Sequence, residues 1–319
     1  MSESGDDVAP VIEDEVPDVV ERNTFDLSRY PDDETDVDLM HSRVDAVPDL
    51  SRFRLLQSLG LRNNLLKELS PAICSLVTLT ELDLNENQLT KIENLAPLVN
   101  LEKLDLSYNR ITKIEGLETL VKLQELFLVH NKIKAIDGLS TLVNIELLEL
   151  GDNQIRKIEN LENLTKVRKL FLGKNKLRQI EGISHMTELR TLSVPGNRLT
   201  KVENVETLTN LTEIHLSDQG IYDVAGMSAL RHLELIDLGN NQLTDLSVIS
   251  ELSEVTDLWL NDNKIDSWSE VDKLKKLESL ETVYLERNPI YKADLNAYRR
   301  KVLLALPQVA QVDATIARH

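Results

Sequence analysis

A sequence pattern that returns every 22 residues constrains this chain more than any other feature. Leucines two apart are followed three residues later by asparagine and two residues later again by leucine or isoleucine. The pattern is seen first in Leu82, Leu84, Asn87 and Leu89, and next in Leu104, Leu106, Asn109 and Ile111. Twelve such segments cover about 37–290. A repeat this short cannot bury its own leucines, so the units must stack on one another to form an elongated solenoid.

The spacing within one unit predicts its local structure. Leucines at alternate positions are typical of a short strand with one buried face. A buried asparagine has two donors and an acceptor for the backbone of adjoining turns. The apolar residues then recur at steps of three, as Leu89, Ile92, Leu95 and Leu98, which fits 3₁₀ turns better than an α-helix. The sequence therefore predicts an α/β repeat solenoid with a concave parallel sheet and convex 3₁₀ turns.

Three irregularities interrupt the period. One residue is added between Asn64 and Asn87, near Pro71. Three residues are added before Asn288, and the stretch 274–280 predicts one extra 3₁₀ turn there. Gln219 replaces the usual asparagine, and we expect local loosening at that position.

The repeat ends after Ile290, and residues 291–319 are predicted to cap the solenoid. A helix is expected from Ala293 to Leu306, with Asp294 as its N-cap and Pro307 as its stop. Its inner face is predicted to carry Leu295, Tyr298, Val302 and Leu306. Such a helix would cover the leucines that the last repeat leaves exposed.

The first 36 residues differ from the rest in charge. They contain 13 acidic residues and two arginines, a net charge of −11 within a total of −18. This composition predicts a disordered acidic tail over 1–36. The tail is interpreted as a solubilising leader, with two alternatives open: it imitates an acidic ligand, or it shields a basic surface.

Catalytic and metal-binding patterns are absent from the sequence. The six histidines are scattered, and no zinc-protease, serine-hydrolase or phosphate-loop motif is present. His215 is interpreted as solvated or partner-bonded, the alternative being a metal site with neighbouring acids. Cys74 is interpreted as a small buried hydrophobic residue. We therefore predict no enzymatic activity, no cofactor and no metal.

Compartment and gross partner class follow from composition. No secretory signal and no apolar run of membrane-spanning length is present, so a soluble intracellular protein without membrane contact is expected. A net charge of −18 argues against direct contact with nucleic acid, because phosphate contacts need clustered lysine and arginine.

The residue between the two strand leucines is expected to point away from the core, onto the concave face. Along the chain this outward slot holds Asp38, Gly60, Asp83, Asp105, Phe127, Glu149, Phe171, Ser193, His215, Asp237, Trp259 and Tyr284, with Asp257 one slot further out beside Trp259. Four of the twelve are aromatic although only 4% of the chain is, and five are acidic. Aromatic anchors beside charges are typical of protein-binding hot spots. The alternative is that the rings stack only to cover the sheet.

Lysines occupy a different column of the repeat. Each is followed two residues later by a glutamate, in the pairs Lys91 and Glu93, Lys113 and Glu115, Lys157 and Glu159, and Lys201 and Glu203. This column is interpreted as a solvated ladder of alternating charge at the edge of the solenoid, with little energy in each pair.

The uniform 22-residue units with Lys-Ile-Glu-x-Leu, as in 91–95 and 113–117, resemble the short-repeat subclass of leucine-rich-repeat proteins, and 281–290, 298–307 and 311–315 resemble its cap. More narrowly, 37–319 resembles the leucine-rich-repeat regulatory subunits of type-1 protein phosphatase. The resemblance implies a non-enzymatic partner that holds the phosphatase catalytic subunit on its concave face. It places the family's contacts on Asp105, Phe127, Glu149, Phe171, Asp237, Asp257, Trp259 and Tyr284.

The resemblance also implies a nuclear protein, present in the cytoplasm as well, that acts in phosphatase maturation and chromosome segregation, with a third subunit of the inhibitor-3 class in such complexes. No short basic-Val-x-Phe docking peptide is present, since Lys166–Lys169 lacks the aromatic residue; docking is therefore expected through the folded surface. The main alternative is a scaffold subunit of a spliceosomal RNA–protein complex, whose leucine-rich subunit shares this repeat and cap. A cytoskeletal or motor-associated adaptor is a third alternative.

Overall fold

The computed structural model describes residues 22–316. Each coil of the solenoid contains one strand of three residues. The twelve strands are β1 Asp36–Asp38, β2 Ser58–Gly60, β3 Glu81–Asp83, β4 Lys103–Asp105, β5 Glu125–Phe127, β6 Leu147–Glu149, β7 Lys169–Phe171, β8 Thr191–Ser193, β9 Glu213–His215, β10 Leu235–Asp237, β11 Asp257–Trp259 and β12 Thr282–Tyr284. They pair in chain order, all parallel, as the repeat predicts.

The middle residue of every strand is buried and the two flanking residues face the concave side. Leu104 of β4 lies in register between Leu82 of β3 and Leu126 of β5, and all three have no exposed surface. Because each core leucine is covered by those of the neighbouring coils, the core is one continuous column along the solenoid. The predicted concave parallel sheet is confirmed.

The convex side returns the chain by 3₁₀ turns. In a typical coil the Leu98 amide donates to the Leu95 carbonyl, and the Leu101 amide donates to the Leu98 carbonyl. Longer 3₁₀ helices are Pro71–Ser75, Ala225–Ala229, Ile249–Glu251 and Leu274–Lys276. Steps of three therefore place one apolar residue per turn in the core, as the sequence predicts.

The repeated asparagines form a ladder that joins successive coils. The Asn131 side-chain amide donates to the carbonyls of Leu106, Leu128 and Val129 at 3.0–3.2 Å, and its oxygen accepts the Ile111 amide at 2.9 Å. Leu106 and Ile111 belong to the preceding coil. Each ladder asparagine thus supplies partners for the turn of the coil before it, and it is buried because it does so.

Gln219 performs the same task, and the predicted loosening there is wrong. Its oxygen accepts the Leu199 amide at 3.0 Å, and its nitrogen donates to the carbonyls of Val194 and Leu216 at 2.9 and 3.3 Å. The glutamine side chain is one methylene longer, yet it reaches the same partners. Gly220, the next residue, has no left-handed backbone conformation.

We expect Asn131→Ala to lower the free energy of unfolding by about 1–3 kcal/mol, because it leaves buried backbone groups of two coils without partners. Denaturant unfolding of the full chain measures the effect. Asn144→Ala is the matched control, since this half-buried asparagine lies outside the ladder, where it donates to the Val121 carbonyl and accepts from Lys166. Equal midpoints for the two variants would contradict a bridging role for the buried asparagine.

A second column, not anticipated from the sequence, contains only asparagine and glycine at left-handed backbone positions. Its members are Asn94, Gly116, Gly138, Asn160, Gly182 and Asn204. At Gly138, with φ 69°, an added Cβ would lie 2.5 Å from the Ile114 carbonyl oxygen. At Asn160 the side-chain amide instead donates to the Ile136 carbonyl at 2.7 Å. The column therefore accepts glycine for space or asparagine for a hydrogen bond.

The two insertions have different structures. The residue added near Pro71 lengthens a 3₁₀ helix, Pro71–Ser75, with proline in its first turn. The coil that gains three residues before β12 contains an α-helix, α1 Trp268–Lys273, which is followed by the 3₁₀ helix Leu274–Lys276. The 3₁₀ turn predicted in 274–280 is confirmed, whereas the α-helix before it was not predicted. Ser267 caps α1 by accepting the Ser269 amide, which starts the helix at that point.

The C-terminal cap contains two helices and two short strands: α2 Pro289–Ala293, α3 Leu295–Ala305, β13 Gln311–Val312 and β14 Thr315–Ile316. Asp294 caps α3 by accepting the Ala297 amide at 3.1 Å. Tyr298, Val302 and Leu306 are buried as predicted, but Leu295 is 62% exposed. Tyr291 of α2 packs edge-on against Tyr298 with ring centroids 4.8 Å apart, so α2 contributes to the inner layer where Leu295 was expected.

Part of the predicted disordered tail is folded. Phe25, Leu27 and Tyr30 pack against the first coil, and the Tyr30 ring contacts Phe53 edge-on at 6.3 Å. The Thr24 amide donates to the Ser42 carbonyl at 2.8 Å. These few apolar residues cover the first coil despite their acidic surroundings. Residues 22–36 are therefore an N-terminal cap, and the rest of the predicted tail, 1–21, lies outside the described residues.

The described residues include no helix that is both long enough and apolar enough to cross a bilayer.

Candidate protein-binding face

Strand pairing brings the outward-slot residues into one row across the concave face. Asp105 lies in register with Phe127, Phe127 with Glu149, and Glu149 with Phe171. Further along, Asp237 is in register with Trp259, and Trp259 with Tyr284. Neighbouring strands are about 4.8 Å apart, so consecutive side chains of the row lie beside one another.

The row divides the eight predicted residues into two clusters. The first cluster is Asp105, Phe127, Glu149 and Phe171, in four consecutive strands. The second cluster is Asp237, Asp257, Trp259 and Tyr284, in three consecutive strands. Ser193 and His215 stand between them. About 19 Å separates Phe171 from Trp259, four strand spacings apart, so one partner would meet two distinct patches.

In the first cluster a carboxylate stands between two rings. Phe127 and Phe171 flank Glu149 and are half-buried. Their rings make no aromatic contact with each other or with any other described residue. The alternative reading, in which the rings stack only to cover the sheet, therefore does not describe this cluster.

In the second cluster the rings do touch. Trp259 packs edge-on against Tyr284 with centroids 5.9 Å apart, and it lies 6.5 Å from the His215 ring. The Tyr284 hydroxyl accepts a hydrogen bond from Gln311 of the cap. The Trp259 indole N–H is buried and has no acceptor among the described residues. The cluster is thus a preformed aromatic surface with one unsatisfied donor.

Two of the predicted carboxylates also serve the fold. Asp237 is 8% exposed; it accepts the Gly239 amide at 3.0 Å and the Ser217 hydroxyl at 2.8 Å. Asp105 likewise accepts the Ser107 amide at 2.8 Å. These bonds end each strand by satisfying the amide two residues on. Replacing either residue would disturb the sheet as well as the face, so the aromatic residues are the cleaner probes of binding.

Burial and mutual repulsion raise the pKa values of two carboxyl groups on the concave face. Burial raises the pKa of Glu149, and the nearby Asp105 charge raises it further. Burial also raises the pKa of Asp83, with a smaller contribution from Asp105, against the bond from the Asn85 amide. Carboxylates that are hard to ionise in the free protein gain from a cationic neighbour, which is what a basic partner would supply.

We expect Glu149→Gln to raise the melting temperature at pH 7 by no more than a few degrees. Because the folded-state pKa of Glu149 is raised, its contribution to stability is greatest below the ordinary value of 4.5 and is lost as the pH rises through the folded-state pKa. The difference between variant and wild type should therefore vanish in acid. Glu115→Gln, at an exposed edge position, is the control, and thermal scans from pH 4 to 8 measure both. A constant difference across that range would contradict the assignment.

An acidic depression adjoins the second cluster and was not anticipated from the sequence. It is open, holds about 460 Å³, and is lined by Ser217, Asp218, Asp237, Gly239, Asn240, Trp259, Asn261, Asp262 and Arg287. Arg287 pairs with Asp262 at 2.7 Å and with Glu286. The missed residues follow the strands, at the position before each ladder residue. Aspartate and asparagine are common turn residues, so their presence at that position did not indicate a binding site.

His215 and Cys74, the isolated polar residues considered in the sequence, both make contacts within the fold. His215 is half-buried, with Nδ1 4.0 Å from Asp237. No group of three metal-binding side chains occurs within residues 22–316. Cys74 is half-buried rather than buried as predicted; its thiol donates to the Asn94 carbonyl at 3.3 Å. It lies on the convex side because it belongs to the 3₁₀ helix Pro71–Ser75.

The predicted lysine–glutamate ladder forms only in part. Lys157 lies 3.5 Å from Glu159, whereas Lys201 pairs with Asp223 at 3.8 Å rather than with Glu203. Both lysines are about half exposed, so these pairs contribute little to stability. Substitutions of these edge lysines therefore serve as controls for substitutions on the concave face.

Family models described as leucine-rich repeats match most of the chain. "Leucine rich repeat" covers 54–111, "Leucine Rich repeats (2 copies)" covers 99–141 and 143–185, and "Leucine-rich repeat" covers 185–316. With the observed coils and sheet, these matches show that the chain belongs to the leucine-rich-repeat proteins.

Two curated relatives are named as regulatory subunits of protein phosphatase 1. The chain is 54% identical over 74 residues to the "Protein phosphatase 1 regulatory subunit SDS22 homolog" of Caenorhabditis elegans, and 64% identical over 52 residues to "Protein phosphatase 1 regulatory subunit 7" of Homo sapiens. The matched segments span 23% and 16% of this chain and 23% and 14% of those relatives. The predicted resemblance to regulatory subunits of this phosphatase is confirmed.

Solved structures share the fold. An internalin of Listeria monocytogenes superposes with a TM-score of 0.70 at 23% identity, covering 89% of this chain and 87% of that one. A leucine-rich-repeat protein of Leptospira interrogans gives a TM-score of 0.70 at 26% identity, covering 85% and 76%. These likenesses support the architecture of the solenoid.

Proposed function

We propose that this protein is a non-enzymatic regulatory subunit that binds the catalytic subunit of type-1 protein phosphatase on its concave face. The observation that carries the proposal is the row of aromatic rings flanked by carboxylates on that face. The names of the curated relatives support the choice of partner. The predicted contacts are the eight residues of the two clusters.

The chemistry of the face defines what the partner must present. Half-buried rings at Phe127, Phe171, Trp259 and Tyr284 fit shallow apolar pockets. The carboxylates between and beside them fit a basic patch, which would accelerate encounter more than it raises affinity. The unsatisfied indole N–H of Trp259 would gain an acceptor if the partner's approach shifts that ring.

The acidic depression beside Trp259 fits a long cationic side chain. Asp218 and Asp237 line it, and Arg287 is already engaged by Asp262. A lysine or arginine of the partner would find a carboxylate there that can accept a charge-assisted hydrogen bond. Binding would then rest on the folded surface, which agrees with the lack of a short docking peptide at Lys166–Lys169.

The cellular part of the proposal is based on the resemblance to the phosphatase regulatory subunits. We propose that the protein controls maturation, activity or localisation of the phosphatase, in the nucleus and the cytoplasm, with a role in chromosome segregation. A third subunit of the inhibitor-3 class belongs to the proposed complex, and direct contact with nucleic acid or membrane does not. Imaging of a fluorescent fusion through mitosis tests the localisation, and exclusion from the nucleus at all stages would contradict it.

Titration calorimetry of the full chain against purified catalytic subunit tests the proposal directly. We expect saturable binding at one to one, and repeating the titration with the phosphatase metals removed shows which form is preferred. No binding in either form would overturn the proposed function. An affinity pull-down from cell extract provides the independent test: recovery of splicing proteins without phosphatase would favour the RNA–protein scaffold instead.

A further inference from the structure

One edge of the solenoid carries a dense row of positive charge although the whole chain is strongly acidic. After each ladder residue, two exposed positions flank one buried apolar residue, as Lys132 and Lys134 flank Ile133. In five consecutive coils these positions hold Arg110, Lys132, Lys134, Arg156, Lys176, Arg178 and Arg198, and we call these seven residues the basic ridge. Lys176 is half-buried and the other six are exposed. No acidic residue occupies the same positions in these coils.

The ridge charges are not neutralised by the folded part of the chain. Among residues 22–316, no ion pair and no side-chain hydrogen bond involves any of the seven. Nearby acids have other partners: Asp152 lies 2.6 Å from His130, and Glu159 pairs with Lys157. The adjoining column of lysines and glutamates is close to neutral as a whole. Like charges on coils about 4.8 Å apart repel one another. An anionic ligand bound along the ridge would relieve this repulsion.

The chain itself contains a segment of matching charge. Residues 1–21 contain eight acidic residues and no lysine or arginine. They join the described structure at the same edge of the solenoid as the ridge. Arg22 pairs with Asp45 at 3.0 Å, and the Asn23 amide donates to the Arg43 carbonyl at 3.0 Å. Asp45 occupies, in the first coil, the position that Lys134, Arg156 and Arg178 occupy in later coils.

The distance is well within the reach of the segment. The ridge spans the fourth to the eighth coil, which lie roughly 14 to 34 Å from the first at about 4.8 Å per coil. An extended chain of 21 residues reaches about 70 Å. Glu13 and Glu15, nine and seven residues before Arg22, reach about 31 and 24 Å when extended, so they can meet the nearer coils of the ridge, and the acidic residues before them can meet the farther coils.

We propose that the acidic segment 1–21 lies along the basic ridge as an intramolecular strap and competes with other anionic ligands for that edge. The strap leaves the concave face open, because the ridge lies beyond the strands on the side of the ladder. It rests on charge, so salt weakens it: screening lengths fall from about 10 Å at 0.1 M to a few ångströms at 1 M.

Zero-length carbodiimide cross-linking of the full chain, read by peptide mass spectrometry, tests the placement. This reagent joins carboxylates to amines in direct contact. We expect links from 1–21 chiefly to the three ridge lysines, lost at about 1 M salt. Lys122 and Lys166 are the reference amines, since they bond Asn100 and Asn144 on the opposite edge. Equal yields at the reference amines, or no links from 1–21 at all, would overturn the proposal.

Binding of an acidic probe tests the competition. The probe is a fluorescein-labelled peptide of sixteen glutamates, followed by anisotropy at low salt. The full chain with Glu13→Gln, Asp14→Asn, Glu15→Gln and Asp18→Asn should bind it at least tenfold more tightly than wild type. Adding Lys134→Glu, Arg156→Glu and Arg178→Glu should abolish that gain; circular dichroism controls for folding. Equal affinity of wild type and the neutralised variant would show that the segment does not cover the ridge.

Discussion

Replacing Trp259 with alanine is expected to weaken binding of the phosphatase catalytic subunit by roughly thirtyfold or more. Truncation of a central aromatic anchor typically costs about 2 kcal/mol or more of binding free energy. The fold should be unaffected, because Trp259 lies on the concave face and its contacts are with other face residues, Tyr284 and His215. Phe171→Ala tests the first cluster in the same way. Titration calorimetry measures affinity, and circular dichroism checks the fold.

The controls separate the face from the edge. Tyr222→Ala removes an exposed ring that is outside the concave row and contacts Lys201. Lys113→Ala and Lys157→Ala remove edge charges. All three should bind as wild type does. If wild type binds and these edge variants lose affinity while Trp259→Ala does not, then the phosphatase docks on the edge and the concave assignment is wrong; if wild type does not bind, the choice of partner is wrong.

The second large effect is expected at the C-terminal cap. Val302 has no exposed surface and Leu304, two residues along α3, is 74% exposed. Val302→Asp would bury a carboxylate without a partner, which costs about 3–5 kcal/mol, so the cap should detach from the last coil. Leu304→Asp on the same helix should leave stability nearly unchanged.

Hydrogen exchange locates the damage. In Val302→Asp, protection should fall most in β12 and β13 and recover toward the N-terminus, because each coil is stabilised by its neighbours. Deleting 291–319 should act in the same direction and cause aggregation. A Val302→Asp protein with wild-type protection in these strands would show that the cap does not seal the solenoid.

The sequence was sufficient for whatever depends on the period. The strands, the 3₁₀ side and the ladder follow from one residue type per position, and the concave row follows from its place between the two strand leucines. The sequence was insufficient for predicting a residue's role where one residue type can serve either the fold or binding. Asp237 is aspartate whether it binds a partner or ends a strand, and Gln219 could be judged only once its hydrogen bonds were seen. Asn160 and Gly138 look like unrelated turn residues until their shared left-handed backbone is known.

Composition misled the prediction at the first coil. The acidic residues of 22–36 suggested disorder, but Phe25, Leu27 and Tyr30 supply enough apolar surface to cover one coil. A few buried rings outweigh many solvated charges, because charges at the surface cost little while an open end of the core costs much. The basic ridge was not predicted because a net charge of −18 describes the chain as a whole, whereas the seven cations of the ridge gather on one edge of the fold.

The ladder has a consequence for how the protein is made. Among residues 22–316, the acceptor of the Ile111 amide is Asn131, and that of the Ile265 amide is Asn288. In the last coil, Asp313 of the cap accepts the amides of Leu285 and Glu286. A coil leaving the ribosome therefore stays incomplete until the next 22 or so residues have been translated. The nascent chain always carries one unfinished turn at its growing end, and only the final residues of the cap complete the series.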